Sequence, residues 1–292
     1  MITELEIAII SGILSMLGWG IADFFAKKTV DKIDDLRTLF WTQLFGTIPI
    51  LTYLFFNFEL PYFTSQIILY LILLSILGTF GILLFYRGLS KGKASVITSI
   101  YSSYAAFVVL VSFVIFHEVI LSLTWLGLGI IFVGIVLASF DYRKFKDIDF
   151  ELKDLSKGIP ETLIAAVIIG IYLPLWDSFF ANEGWVVFTL LNNIIISLTI
   201  LIISFSKKST LRVKDKKIWK WLFIVGVFTS VGFLSLVWGF NATNFTSIIS
   251  VLSAASPIIV IILARIFLKE EMSLTQKLGV FLVLVGLIVI SA

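Results

Sequence analysis

The sequence predicts an all-α integral membrane protein of ten transmembrane helices arranged as two inverted five-helix repeats. Three observations carry that prediction: the composition, ten long apolar runs, and a segment that recurs at a fixed offset. Of 292 residues, 59% are hydrophobic and only 14% charged, with a mean hydropathy of +1.08. A water-soluble domain runs about 45–50% apolar and roughly 25% charged. So much apolar surface in one soluble core would leave almost nothing to face water, which argues against a soluble enzyme, a nucleic-acid binder or a disordered chain. Cysteine is absent and histidine occurs once. A disulfide framework, a zinc cluster and a thiol nucleophile are therefore excluded, and no cofactor or metal is implied.

A hydrocarbon core of about 30 Å takes roughly 20 apolar helical residues to cross. Ten stretches meet that length: 5–26, 38–57, 66–87, 94–116, 122–140, 159–181, 185–205, 219–240, 245–267 and 274–292. They are continuous runs rich in Ile, Leu, Val and Phe, not the alternating segments of a strand barrel. Residues 1–140 form the first repeat, 141–158 (DYRKFKDIDFELKDLSKG) a solvated cytoplasmic connector, and 159–292 the second repeat. All 22 Lys and Arg fall in the odd-numbered links or at their borders, from Lys27 to Arg37, Arg87 to Lys93, Arg143 to Lys157, Lys207 to Lys220 and Arg265 to Lys277. The positive-inside bias puts those links in the cytoplasm and both termini outside a multi-pass cell membrane protein. The acidic start MITELE lacks the basic region of a cleaved signal peptide.

The halves resemble each other. FHEVILSLTWLGLGIIFVGIVLAS (116–139) matches LKEEMSLTQKLGVFLVLVGLIVIS (268–291) at an offset of 152, which pairs Glu118 with Glu270, Gly127 with Gly279 and Gly134 with Gly286. ADFFAKK (22–28) echoes WDSFFAN (176–182) more weakly. Five spans per half, an odd number, make the second half enter from the opposite side. Inverted repeats about a midplane site are common in secondary transporters.

Several of these features resemble the EamA-like transporters of the drug/metabolite transporter superfamily over essentially the full length. They are Trp19-Gly20 in span one, a Ser-rich fourth helix leading to Glu118 in one half and Glu270 in the other, and a Gly-spaced last helix in each. The resemblance implies a carrier of amino acids, other metabolites, sugars or drugs that works without ATP, consistent with the absence of a P-loop motif. One departure is that Pro257 in span nine has Ala105 as its equivalent, so a proline kink is expected on one side only.

Polar residues inside spans are the site candidates. Asp23 and Asp177 are costly in a bilayer and such residues often mark substrate or proton paths; reaching the interface or a neighbouring lysine is the alternative. Ser95, Ser99 and Ser102 share one helical face beside Tyr101, and Ser250 and Ser253 lie on a comparable face of span nine. Small hydroxyl residues also allow close packing without any ligand. Gln43, Asn192 and Asn193 are poor lipid neighbours, and Trp19, Tyr86, Tyr101, Tyr104, Tyr172 and Trp238 lie near these polar positions. Glu118 and Glu270 read as interfacial carboxylates that help start the next helix, with Ser122 and Ser273 as caps; half-to-half latches are the alternative. No Lys or Arg lies deep in a span, which argues against a phosphorylated substrate.

The expectation is a secondary transporter of small organic solutes by alternating access, an exporter of amino acids or related metabolites. Its partners would be the substrate, the bilayer and protons as coupling ion, with no nucleic acid, and one chain carries both halves. A neutral-sugar or drug carrier is the nearest rival. A membrane-embedded lipid-acting enzyme would need a clustered acid, base or metal set that the sequence does not contain.

Overall fold

A computed structural model describes residues 3–116, 122–139, 157–180, 184–243, 249 and 252–290. Among them every regular element is helical. They are α1 (Glu4–Ile33), α2 (Asp35–Phe56), α3 (Ser65–Lys91), α4 (Ala94–Tyr101), α5 (Tyr104–Phe116), α6 (Ser122–Ser139), α7 (Ile159–Phe180), α8 (Trp185–Ser206), α9 (Lys216–Ala242), α10 (Pro257–Leu263, continued by a π-helical turn, Ala264–Leu268) and α11 (Leu274–Ile290). Seven stretches are long and apolar enough to cross a membrane, and three shorter apolar helices cover 125–138, 252–268 and 274–289. The ten expected runs are thus all helical where described, but not all are full continuous spans.

Two differences from the expected spans have physical causes. The first helix does not stop before Lys27-Lys28 but runs on to Ile33. Lys27 Nζ is satisfied there by Asp31 at 2.9 Å and the Leu89 carbonyl at 2.7 Å. Lys28 Nζ lies 5.2–5.8 Å from the ring centroids of Trp221, Phe24, Phe25 and Phe267, within cation–π range. The fourth span is interrupted at Ser102-Ser103. Bonds three residues apart replace bonds four apart, from Ser103 N to Ile100 O and Ala106 N to Ser103 O, and Ser103 Oγ also donates to Ile100 O at 2.6 Å. Span nine is tightened in the same way around Ala255-Ser256, from Ser256 N to Ser253 O and Ile259 N to Ser256 O. The break is two-sided although the proline is not.

Helix pairing follows the repeat. α1 packs along α9 and α3 along α7, which is one contact seen from each half. α2 meets α8 and α6 meets α11, each a helix against its counterpart, and α4 meets α10, the equivalent of α5. Lipid gives helices little hydrophobic reason to associate, so close backbone approach has to hold them. A Cβ on Gly18 would stand 2.8 Å from the Cα of Gly232, and one on Gly134 2.7 Å from the backbone N of Val283. Both pairs need glycine to touch.

The described residues of the odd-numbered links gather at one end. Arg37 Nε donates to Thr210 O at 2.7 Å, Trp41 Nε1 to Leu211 O at 2.8 Å, and Arg87 Nε to Asp35 at 2.7 Å. Lys91 pairs with Glu161, and Lys93 donates to the Glu271 carbonyl. α1 ends and α7 begins at this basic end, so equivalent helices of the two halves run in opposite directions.

Candidate functional site

Between the halves lies a cavity of about 200 Å³, walled by α1, α2, α3, α7, α8 and α9 and by the two broken spans. It reaches from Tyr86, five residues before the end of α3 at the basic end, to Thr189, four residues into α8 from the opposite end. Ser102 and Ser256, at the two helix breaks, both face it. Discontinuous helices at the midplane are where transporters of this kind of architecture place substrate sites, because loosened backbone can meet a ligand there.

Of the expected site residues, Trp19, Asp23, Gln43, Tyr86, Tyr101, Ser102, Tyr172 and Asn192 line this cavity. With α1 extending to Ile33, Asp23 lies ten residues, or roughly 15 Å, from the basic end, deeper than one turn. Its carboxylate is close enough to Tyr86, Tyr101 and Tyr104 to act electrostatically on their phenol groups. Among the described residues it forms no hydrogen bond and no ion pair. Asn192, nine-tenths buried, has a side-chain oxygen with no hydrogen-bond partner.

Four expectations for the site fail on geometry. Ser95 is at the basic end, where its hydroxyl donates to Glu270 at 2.8 Å. Ser99 is buried and donates to the Ser95 carbonyl at 2.8 Å. Hydroxyls in helices often bond back to their own carbonyls, so a shared face did not imply a shared cavity. Ser253 is buried off the cavity wall, and Trp238 is 41% exposed on the outside of α9. Ser250, Glu118 and the side chain of Asp177 lie outside the described residues.

The glutamate reading is also corrected. Lys269 adopts a left-handed conformation (φ 54°, ψ 35°) after the π turn and turns the chain towards α4. Glu270 then accepts from Ala94 N at 2.8 Å, Ser95 N at 3.1 Å and Ser95 Oγ at 2.8 Å. It caps a helix of the other half, where first-turn N–H groups have no intrahelical partner and the dipole favours an anion. Ser273 does cap its own helix, exchanging bonds with Gln276. Glu270 is a latch and Ser273 a cap.

The remaining wall includes residues the sequence did not single out: Thr42, Phe85, Thr189, Thr229, Ser230 and Phe233. A signal existed on α9, where Gly226, Thr229, Ser230 and Phe233 stand at i, i+3, i+4 and i+7.

The sequence pattern of the EamA-like transporter family matches residues 6–140 and 156–292. An uncharacterized protein of Methanocaldococcus jannaschii is 30% identical over 135 residues, which is 46% of this chain and 98% of that protein. That relative is therefore about half this chain's length. A solved crystal structure superposes with a TM-score of 0.69 over 97% of this chain and 95% of the other at 14% identity, a likeness of fold.

Proposed function

Because the chain belongs to the EamA-like transporter family, and with it to the drug/metabolite transporter superfamily of multi-pass membrane proteins, we propose that it is a secondary carrier that moves small amino acids or related metabolites out of the cell by alternating access. The observation that carries this reading is the cavity, placed where the two broken spans meet and walled by both halves. Rocking of one half against the other would expose it first to one side and then to the other. The basic links mark the cytoplasmic end in this reading, and both termini face outwards. A proton can alternate with solute on Asp23, so a pH gradient is the proposed driving force.

Counterflow in proteoliposomes with labelled amino acids, amines, sugars and nucleosides tests the proposal. Saturable exchange of at least one of them is expected; exchange of none overturns the carrier reading. Ser102→Trp and Thr229→Trp should each abolish that exchange while leaving expression and folding intact, because an indole fills the cavity. Normal flux in both variants removes the cavity from the pathway. The chain has no cysteine, so single cysteines report sidedness cleanly. One at Asn57 should label from outside and one at Lys214 only after permeabilisation, and the reverse pattern inverts the topology.

A further inference from the structure

The cavity wall is lopsided in its chemistry. Asp23 is the one charged side chain among the described lining residues; no Lys, Arg or His accompanies it. It has no donor from another described residue. Asp23 is half-buried, whereas Asn192 Oδ1 is buried on the same wall with no donor. A buried acceptor left unpaired is costly, and a carboxylate on an apolar cavity wall gains from a cationic partner. A carboxylate and an amide oxygen that accept from no described residue match a solute that brings N–H donors and a positive charge.

The rings agree. Phe85 and Tyr101 are stacked with centroids 3.9 Å apart at 16°, and Tyr172 and Trp176 with centroids 5.5 Å apart at 29°. Trp19 stands on the Asp23 helix itself. Aromatic faces attract an ammonium group and also cover an alkyl or aryl chain. A free carboxylate on the solute would be placed beside Asp23 with no basic group to receive it. The cavity, about 200 Å³ in volume, admits a small organic amine.

We propose that the cavity selects organic amine cations that lack a free carboxylate, with Asp23 receiving the ammonium, Asn192 Oδ1 a second N–H, and the Tyr and Trp rings enclosing the rest. This keeps the related metabolites of the carrier reading above and drops the amino acids themselves; it rests on that reading for its biological use, but the binding site can be tested without flux.

The probe is tritiated phenethylamine, bound to the purified full chain in detergent micelles and displaced by unlabelled competitors. Phenylalaninamide, a cation without a carboxylate, should displace it at least tenfold better than zwitterionic phenylalanine, and 3-phenylpropionate should not displace it. Asp23→Asn should weaken phenethylamine binding at least tenfold and Asn192→Leu severalfold. Equal displacement by phenylalanine and phenylalaninamide overturns the inference, as does absence of saturable phenethylamine binding or unchanged affinity in a folded Asp23→Asn. Should Asp23→Asn not fold, the competition series on the unaltered chain decides. Counterflow separates the two readings. Exchange of zwitterions but not of amines defeats the amine site and leaves the carrier, whereas saturable amine binding with no exchange of any solute defeats the carrier and leaves the site.

Discussion

Among the described residues, polar groups from different links and both halves bond one another at the basic end of the bundle; at the opposite end, rings do most of the holding. Glu270 on α4, Arg87 on Asp35 and Arg37 on Thr210 close the first end. At the second, among the described residues, Phe63 lies against Phe188 at 5.7 Å and Tyr70 against Phe179 at 4.3 Å, with one polar link from Gly184 N to Glu59 at 3.3 Å. That end also holds a second cavity of about 400 Å³ beside Tyr53, Asn57, Glu59 and Trp185. In the proposed alternating-access cycle the contrast bears on which end opens. A carrier must break one end to open it, and the basic end in this conformation is fastened by a few directional bonds. Glu270 is the one among them that joins a carboxylate to unfilled helix amides across the two halves.

Removing that carboxylate is expected to have the largest effect. Hydrogen bonds to a charged group contribute about 1.5–3 kcal/mol, and each 1.4 kcal/mol is roughly tenfold in an equilibrium. Glu270→Ala should therefore raise labelling of a single Ser102→Cys reporter from the basic side at least tenfold, measured with a membrane-impermeant maleimide. An unchanged rate would show that the latch does not hold the gate. A smaller effect is expected at the opposite end. Gly184 has φ +77°, and a Cβ there would stand 2.5 Å from that of Pro61. Gly184→Ala should cost about 1–3 kcal/mol through backbone strain, seen as a lower melting temperature in detergent, with basic-side labelling unchanged. Faster basic-side labelling in this variant would mean the two ends are not separate devices. The smallest effect belongs to Arg87→Gln. Its ion pair with Asp35 is partly exposed, with Arg87 37% accessible, and such pairs are worth about 0–1 kcal/mol. Labelling should change severalfold at most, and a change matching Glu270→Ala would spread the latch over the whole end.

The helices were legible because lipid-facing runs must be apolar throughout, so hydropathy alone located the seven long spans and the three shorter apolar helices among the described residues. Their ends were less so. Lys27 and Lys28 mark a boundary by charge, yet the helix carries both inwards because a carbonyl, a carboxylate and four rings receive them. In the site, the costly groups were found: Asp23, Gln43 and Asn192 are too polar for lipid and do line the cavity. Inexpensive groups were misread in both directions. Ser95 and Ser99 share a face with Ser102 but bond within the helix or to Glu270, whereas Thr229 and Ser230 look like ordinary packing residues and face the cavity. A hydroxyl can satisfy itself, so its presence says little about where it points. The latch was offered by the sequence as the alternative role of Glu270, but its partner was not: Glu270 and Ala94 are 176 residues apart, and only the fold makes them neighbours.

The contact of α2 with α8 sets a limit on how such a cavity can be inherited. Thr42 and Gln43 are the eighth and ninth residues of α2, and Asn192 and Asn193 are the eighth and ninth of α8. All four line the cavity. In an assembly of two identical half-length chains, helices that meet their own copies would show the same residues twice, and every substitution would be felt twice. A duplicated and fused gene escapes that rule. Thr-Gln can face Asn-Asn, and either pair can drift without dragging the other along. The second copy of the gene thus supplies the freedom to make two sides of one binding site unlike, which is what recognition of an asymmetric solute requires.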